Sequence, residues 1–156
     1  MKEKIYIDTS VVGGCFDEEF EEWSNQLFEE FIHGIKIAVV SDITYREVEL
    51  APQEVQDKLS SIPDENKEEV LINNEVENLA SEYIKVGAVS AKYFEDALHI
   101  AIATLHKVDV LVSWNFKHIV NIERIRKYNS VNLMLGHGMI EIRTPREILK
   151  DKDYEE

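Results

Sequence analysis

Short apolar runs alternate with amphipathic helices along this chain, and that alternation constrains the fold more than any other feature. Residues 5–7 (IYI), 36–41 (KIAVVS) and 108–113 (VDVLVS) are of strand length, and residues 139–143 (MIEIR) close the series. Apolar runs with little polar interruption suit strands buried on both faces. Residues 70–72 (VLI) read as a short edge strand after a polar loop over 64–69. Between these runs lie helical patterns. Over residues 17–34, Phe20, Trp23, Leu27, Phe28 and Phe31 recur at three or four, and Gly34 supplies a stop. Asp42 caps a helix over 42–51, which Pro52 breaks, and a short helix follows over 54–60. Residues 74–86 form a helix closed at Gly87. Ser90 caps the next, over 91–107, with Phe94, Ala97, Leu98, Ala101 and Leu105 as its apolar stripe. A helix spans about 121–128, and Pro145 opens a short last one.

Strands fed by helices pair in parallel and carry helices on both faces. The expectation is one α/β domain over residues 1–150, a three-layer α/β/α arrangement around a mostly parallel sheet of four to five strands. Residues 151–156 (DKDYEE) are expected to fray.

In such sheets ligands bind beyond the carboxyl ends of the strands, where the strand order reverses. Asp8 stands at such an end, directly after Ile7, with Thr9 and Ser10 behind it. Asp, Thr and Ser are also ordinary helix N-caps, so the stretch can mark no more than a strand-to-helix turn. Three other polar residues can reach the same edge. Glu47 lies about one and a half turns into the helix after 36–41, Asp96 in the second turn of helix 91–107, and Asn115 just beyond 108–113. Taken singly, Glu47 reads as a solvated helix residue beside Glu49, and Asp96 as an acid favoured by the helix dipole. Asp96 also adjoins apolar Ala97 and Leu98, where an unpaired acid is costly.

Convergence would change their meaning. Two carboxylates about 5 Å apart repel by roughly 3 kcal/mol at an effective dielectric near 20. A cluster of three persists only when protonated or when it holds a cation, and all-oxygen ligands select Mg²⁺ or Mn²⁺. The chemistry implied is phosphodiester hydrolysis by metal-activated water.

Composition narrows the alternatives. A net charge of −14 argues against a broad basic face for nucleic acid, although basic residues can still cluster locally. It leaves room for a nuclease, whose metal needs carboxylates, and for a basic partner. Cys15 is the single cysteine, so neither a disulfide within the chain nor a cysteine zinc cage can form. In its apolar Gly13-Gly14-Cys15-Phe16 setting it reads as a small core residue of a protein in a reducing compartment. The opening Met1-Lys2-Glu3-Lys4, followed by an apolar stretch that Asp8 breaks, is not a signal-peptide pattern, and no run approaches a membrane span. A cytoplasmic location is expected.

The remaining polar and aromatic residues carry two readings each. His99 and His106 are seven apart, not at the i, i+4 spacing of a zinc-binding pair, and read as packing histidines. His118 is a helix-start residue or a phosphate contact. Trp114 and Phe116 either fill the core under their loop or stack on a base. Arg46, Lys92 and Lys117 are surface charges or local phosphate contacts. Neither GxGxxG nor a P-loop is present, and a DxDx[TV] phosphotransferase would need an acid where Ser10 stands.

Four motifs stand in order: IYIDTS, SDITYREVE with Glu47 six residues after Ser41, EDALHIAIA with Asp96, and DVLVSWNFKHI with Asn115. Together they resemble the PIN-domain family of small metal-dependent ribonucleases, which includes the VapC-type toxins of bacterial and archaeal toxin–antitoxin pairs. MIEIRTPREIL is similar to that family's closing strand and helix. The resemblance implies that Asp8, Glu47 and Asp96 bind Mg²⁺ or Mn²⁺, and that Ser10 supports Asp8 or a metal-bound water from behind. Asn115 stands where many members have a fourth Asp, in a turn that here reads Ser113-Trp114-Asn115. Its neutral amide removes one negative charge and weakens any second metal, leaving Asn115 to orient water or ligand. The implied activity is endoribonucleolytic, with a small antitoxin and a second copy of the chain as partners. The competing reading is a catalytically inactive PIN-like domain that binds RNA or a protein.

Overall fold

The computed structural model describes residues 1–149, so the tail over 151–156 lies outside the described residues. Among them, β1 (Lys4–Ile7), β2 (Ile37–Ser41), β3 (Lys67–Val70), β4 (Val110–Val112) and β5 (Ile142–Arg143) form one sheet, ordered β3-β2-β1-β4-β5. Every pairing is parallel, with Tyr6 opposite Val39 on one side and Leu111 on the other. The connecting helices are α1 (Thr9–Gly14), α2 (Glu21–Ile32), α3 (Asp42–Glu49), α4 (Gln53–Ser60), α5 (Asn74–Lys85), α6 (Phe94–Leu105), α7 (Ile122–Met134) and α8 (Pro145–Ile148).

The strand pleat divides the core in two. Ile5, Ile7, Ala38, Val40, Val110 and Val112 face one layer, where they meet Val11 and Val12 of α1, Leu27, Phe28 and Phe31 of α2, and Val55 and Leu59 of α4. Tyr6, Val39 and Leu111 face the other, against Val76 and Leu79 of α5, Ala97 and Ile100 of α6, and Tyr128 of α7. Alternate residues of one strand thus bury on opposite faces, as the pleat requires. The result is the expected three-layer α/β/α fold.

The elements depart from the sequence reading in places, each with a physical reason. The edge strand runs over Lys67–Val70, not 70–72, after a 3₁₀ turn at Asp64–Asn66. An edge position tolerates its Lys-Glu-Glu-Val sequence because the Glu68 and Glu69 side chains reach water, while Lys67 Nζ lies over the Tyr45 ring. Ser41, not Asp42, is the N-cap of α3 and accepts from Thr44 N–H, while Asp42 accepts from Ile72 N–H. Residues 91–93 form a 3₁₀ turn, which puts Asp96 in the first turn of α6. Helix α7 runs on to Met134, because Asn129 and Asn132 are buried and bonded to Ile140 and Thr104 instead of unwinding the helix. Strand β5 is only Ile142–Arg143, with Met139 exposed. Gly34 and Gly87 end α2 and α5 with φ of +72° and +73°, a backbone that a side chain rarely adopts.

The order reverses at β1. From it the chain moves outward to β2 and β3 on one side, and later to β4 and β5 on the other. The crevice beyond β1 and β4 is therefore where a ligand is expected. No helix among the described residues is long and apolar enough to cross a membrane.

Candidate metal centre

Asp8 stands at this edge of the sheet, directly after β1. It is the N-cap of α1, and its Oδ1 accepts from Val11 N–H at 3.2 Å. The same oxygen accepts from Ser10 Oγ at 2.6 Å, and Oδ2 accepts from Ser113 Oγ at 2.6 Å. Asp8 is only 4% exposed. Burial pushes its carboxyl above the ordinary range, against the pull of His99 and these three hydrogen bonds. Ser10 also accepts from Trp114 N–H at 2.9 Å, so one hydroxyl ties the ends of β1 and β4 together.

Glu47 arrives from α3. Its Oε1 accepts from His99 Nε2 at 2.8 Å. Although partial burial opposes ionisation, that contact holds the carboxyl below its ordinary value. His99 lies on α6, 2% exposed, and its Nδ1 is 2.6 Å from Tyr6 Oη. Burial disfavours a charged imidazole there, yet Glu47, Asp8 and Asp96 together hold its pKa above the usual value.

Asp96 comes from the first turn of α6, and its Oδ1 is 3.5 Å from Asn115 Nδ2. Burial raises its pKa to about 6; His99 opposes the rise, while Asp8, Glu47 and Glu95 add to it. Asn115 is held by its own turn: its Oδ1 accepts from Lys117 N–H and His118 N–H, and its N–H donates to Ser113 Oγ.

Three carboxylates, from the end of β1, from α3 and from α6, thus act on one buried imidazole, and two of them act on Asp96. The residues present fit a hard cation. The donors are oxygen only, and the three carboxylates outnumber the cations that act on them, His99 and Arg46. Both nitrogens of His99 are engaged, so it is not a ligand. Among the described residues no group of three or more His, Cys, Asp or Glu side chains is gathered so as to hold a metal ion; each carboxylate rests on its own partner instead.

Three solved structures share this architecture. A toxin–antitoxin complex from Klebsiella pneumoniae matches at TM-score 0.59 and 17% identity, covering 90% of this chain and 97% of the other. VapBC2 from Rickettsia felis, bound to a DNA fragment from its promoter, matches at 0.59 and 14%, covering 90% and 98%. VapC20 of Mycobacterium tuberculosis, a toxin that cleaves the sarcin–ricin loop, matches at 0.57 and 11%, covering 73% and 92%. The fold is PIN-like. No protein-family model and no curated protein matches the sequence.

On this PIN-like fold the predicted residues divide cleanly. Asp8, Glu47, Asp96 and Asn115 come to one edge, with Ser10 bonded to Asp8. Arg46, Lys92 and Lys117 are exposed, and Lys92 lies over the Tyr93 ring. Trp114 fills the core: it is 8% exposed, stacked on Phe20 at 4.3 Å, with Nε1 donating to Ser24. Phe116 is half exposed. His118 is buried and stacked on Tyr93, and burial together with Arg124 and Lys117 lowers its pKa. Cys15 is a buried core thiol, its pKa pushed up to about 12. His106 is exposed beyond the end of α6 and so parts company with His99.

Sequence reasoning missed His99, Tyr6 and Ser113. A signal for His99 was present, because it lies three residues after Asp96 and shares its helix face. Its apolar neighbours disguised it as packing.

Proposed function

We propose that this protein is a Mg²⁺- or Mn²⁺-dependent endoribonuclease that hydrolyses RNA phosphodiester bonds in the cytoplasm. We further propose that it is the toxin of a toxin–antitoxin pair, held by a small antitoxin and able to associate with a second copy. One observation carries the catalytic reading. Asp8 and Glu47 both raise the pKa of Asp96, and all three act on the one buried His99, at the carboxyl edge of a parallel sheet, at its switch point. The structural neighbours, a toxin and two toxin–antitoxin complexes, support the biological one.

Asp8, Glu47 and Asp96 would hold the ion. When bound, it supplies positive charge that acidifies water and offsets charge building on the phosphoryl group. The chain itself does the rest. Ser10 and Ser113 fix the Asp8 carboxylate, and the Asn115 amide faces Asp96. Lys117, exposed two residues beyond Asn115, gives local positive charge for a phosphate on an otherwise acidic body.

Asn115 favours a second reading. Its carbonyl oxygen already accepts two backbone N–H groups, so it offers a weaker ligand than a fourth carboxylate. A PIN-like domain that binds RNA or protein without cleavage would tolerate that. Incubation of a mixed structured and single-stranded RNA pool with Mn²⁺, with EDTA, and with Asp96→Asn separates the two. Cleavage that needs both metal and Asp96 supports the nuclease; intact RNA in every lane supports the binding domain.

A further inference from the structure

Two buried histidines lie near the crevice among the described residues, and they differ in kind. His118 has an unpartnered Nδ1, whereas both ring nitrogens of His99 are engaged. The path through His99 is closed. Ser41 Oγ, the N-cap of α3, is 2.7 Å from Tyr6 Oη. Tyr6 Oη is 2.6 Å from His99 Nδ1, and His99 Nε2 is 2.8 Å from Glu47 Oε1. The path starts on α3, crosses β1 and α6, and returns to α3 six residues later. Ser41, Tyr6 and His99 are each no more than 2% exposed.

We propose that Tyr6 and His99 are positioning residues: a hydrogen-bonded relay that fixes the Glu47 carboxylate toward Asp8 and Asp96. This deepens the metal-centre reading and rests on it for its consequence in binding.

The relay holds in either protonation state of His99. With a neutral ring, Ser41 donates to Tyr6, Tyr6 to Nδ1, and Nε2–H to Glu47. With a charged ring, His99 donates to both Tyr6 and Glu47, and Tyr6 donates to Ser41. Only the direction along Tyr6 changes. Burial holds the Tyr6 hydroxyl far above its usual pKa, so its proton stays in the path. The need for such a device follows from the side chain it serves. Glu47 is long, partly exposed, and loses rotamer freedom when ordered. A partner that orders Oε1 during folding leaves Oε2 aimed before any ligand arrives. Groups that orient ligating carboxylates typically change metal affinity about 10–100-fold.

Calorimetric Mn²⁺ titration and nitrogen NMR of the metal-free protein together test this. Tyr6→Phe, which deletes one hydroxyl, should weaken Mn²⁺ binding about tenfold. His99→Leu should weaken it more. His99→Gln, which can keep an N–H toward Glu47, should recover most of the loss. In the His99→Leu background Tyr6→Phe should have no further effect, because its influence runs through the ring. Should His99→Leu not fold, Tyr6→Phe decides alone. Wild-type affinity in folded Tyr6→Phe, or additive losses in the double variant, overturns the relay. The metal-free protein should show a slowly exchanging His99 Nε2–H that Glu47→Ala abolishes. Free exchange of that proton in the wild type overturns the relay whether or not metal binds. A wild type that binds no Mn²⁺ but retains the slow proton defeats the metal-centre reading instead.

Discussion

Ser113 Oγ donates to Asp8 Oδ2 at 2.6 Å, joining the carboxyl ends of β4 and β1 across the point where the strand order reverses. The two residues are 105 apart in sequence, so this bond forms only once the sheet is assembled. It makes the architecture and the chemistry one feature, because the same hydroxyl also accepts from Asn115 N–H.

Ser113→Ala removes one of the three donors to a buried carboxylate. Hydrogen bonds to charged groups are worth about 1.5–3 kcal/mol, so a loss of that order is expected at pH 7. The loss should shrink in acid, where Asp8 is protonated and the donors matter less. Urea denaturation at pH 7 and pH 4 checks both statements.

Asp96→Asn should stabilise the metal-free protein. The folded pKa of Asp96 is about 6, above the unfolded value of about 3.9. The folded state therefore binds the proton more tightly. The stability this group contributes is present below about pH 4 and is lost as pH rises through about 6. The variant escapes that loss. In EDTA its Tm should exceed that of the wild type at pH 7 and converge with it near pH 4, whereas added Mn²⁺ should raise only the wild-type Tm. Such a trade of stability for function is typical of active sites.

Asn115→Asp tests the departure from a fourth acid. An aspartate keeps the acceptor for Lys117 and His118 N–H, so the turn should persist. It replaces the amide that faces Asp96 with a like charge, at a cost of about 1–3 kcal/mol without metal. Mn²⁺ affinity should rise about tenfold, from the added charge. Thermal melts with and without metal, and calorimetry, read the two effects with opposite signs.

Gly14→Ala probes the packing behind the site. A Cβ there would lie 2.7 Å from both Ser24 Oγ and Trp114 Nε1, the two atoms of one buried hydrogen bond. Trp114 precedes Asn115, so the strain reaches the crevice. Destabilisation of about 1–3 kcal/mol is expected in urea denaturation.

Much of this was legible in the sequence. IYI, IAVV and VLV are uninterrupted apolar runs, and a strand buried on both faces has few other ways to be written. Strand ends and helix turns showed only that Asp8, Glu47, Asp96 and Asn115 can reach one edge; the resemblance to a known family singled them out as a site. What escaped depends on contacts distant in sequence. Lys67–Val70 forms a strand only because β2 offers it an edge. Asn129 and Asn132 stay helical only because Ile140 and Thr104 satisfy them. Tyr6 and His99 look like core residues, and they are; that their polar atoms meet between α3 and α6 is a fact of packing.

The central claim is that Asp8, Glu47 and Asp96 form one cation site. Titration of Mn²⁺ into wild type and Asp96→Asn, followed by calorimetry at pH 7, tests it most directly. Saturable binding to the wild type and its loss in the folded variant is the predicted result. Equal binding by the two proteins, or none by the wild type, would contradict the account.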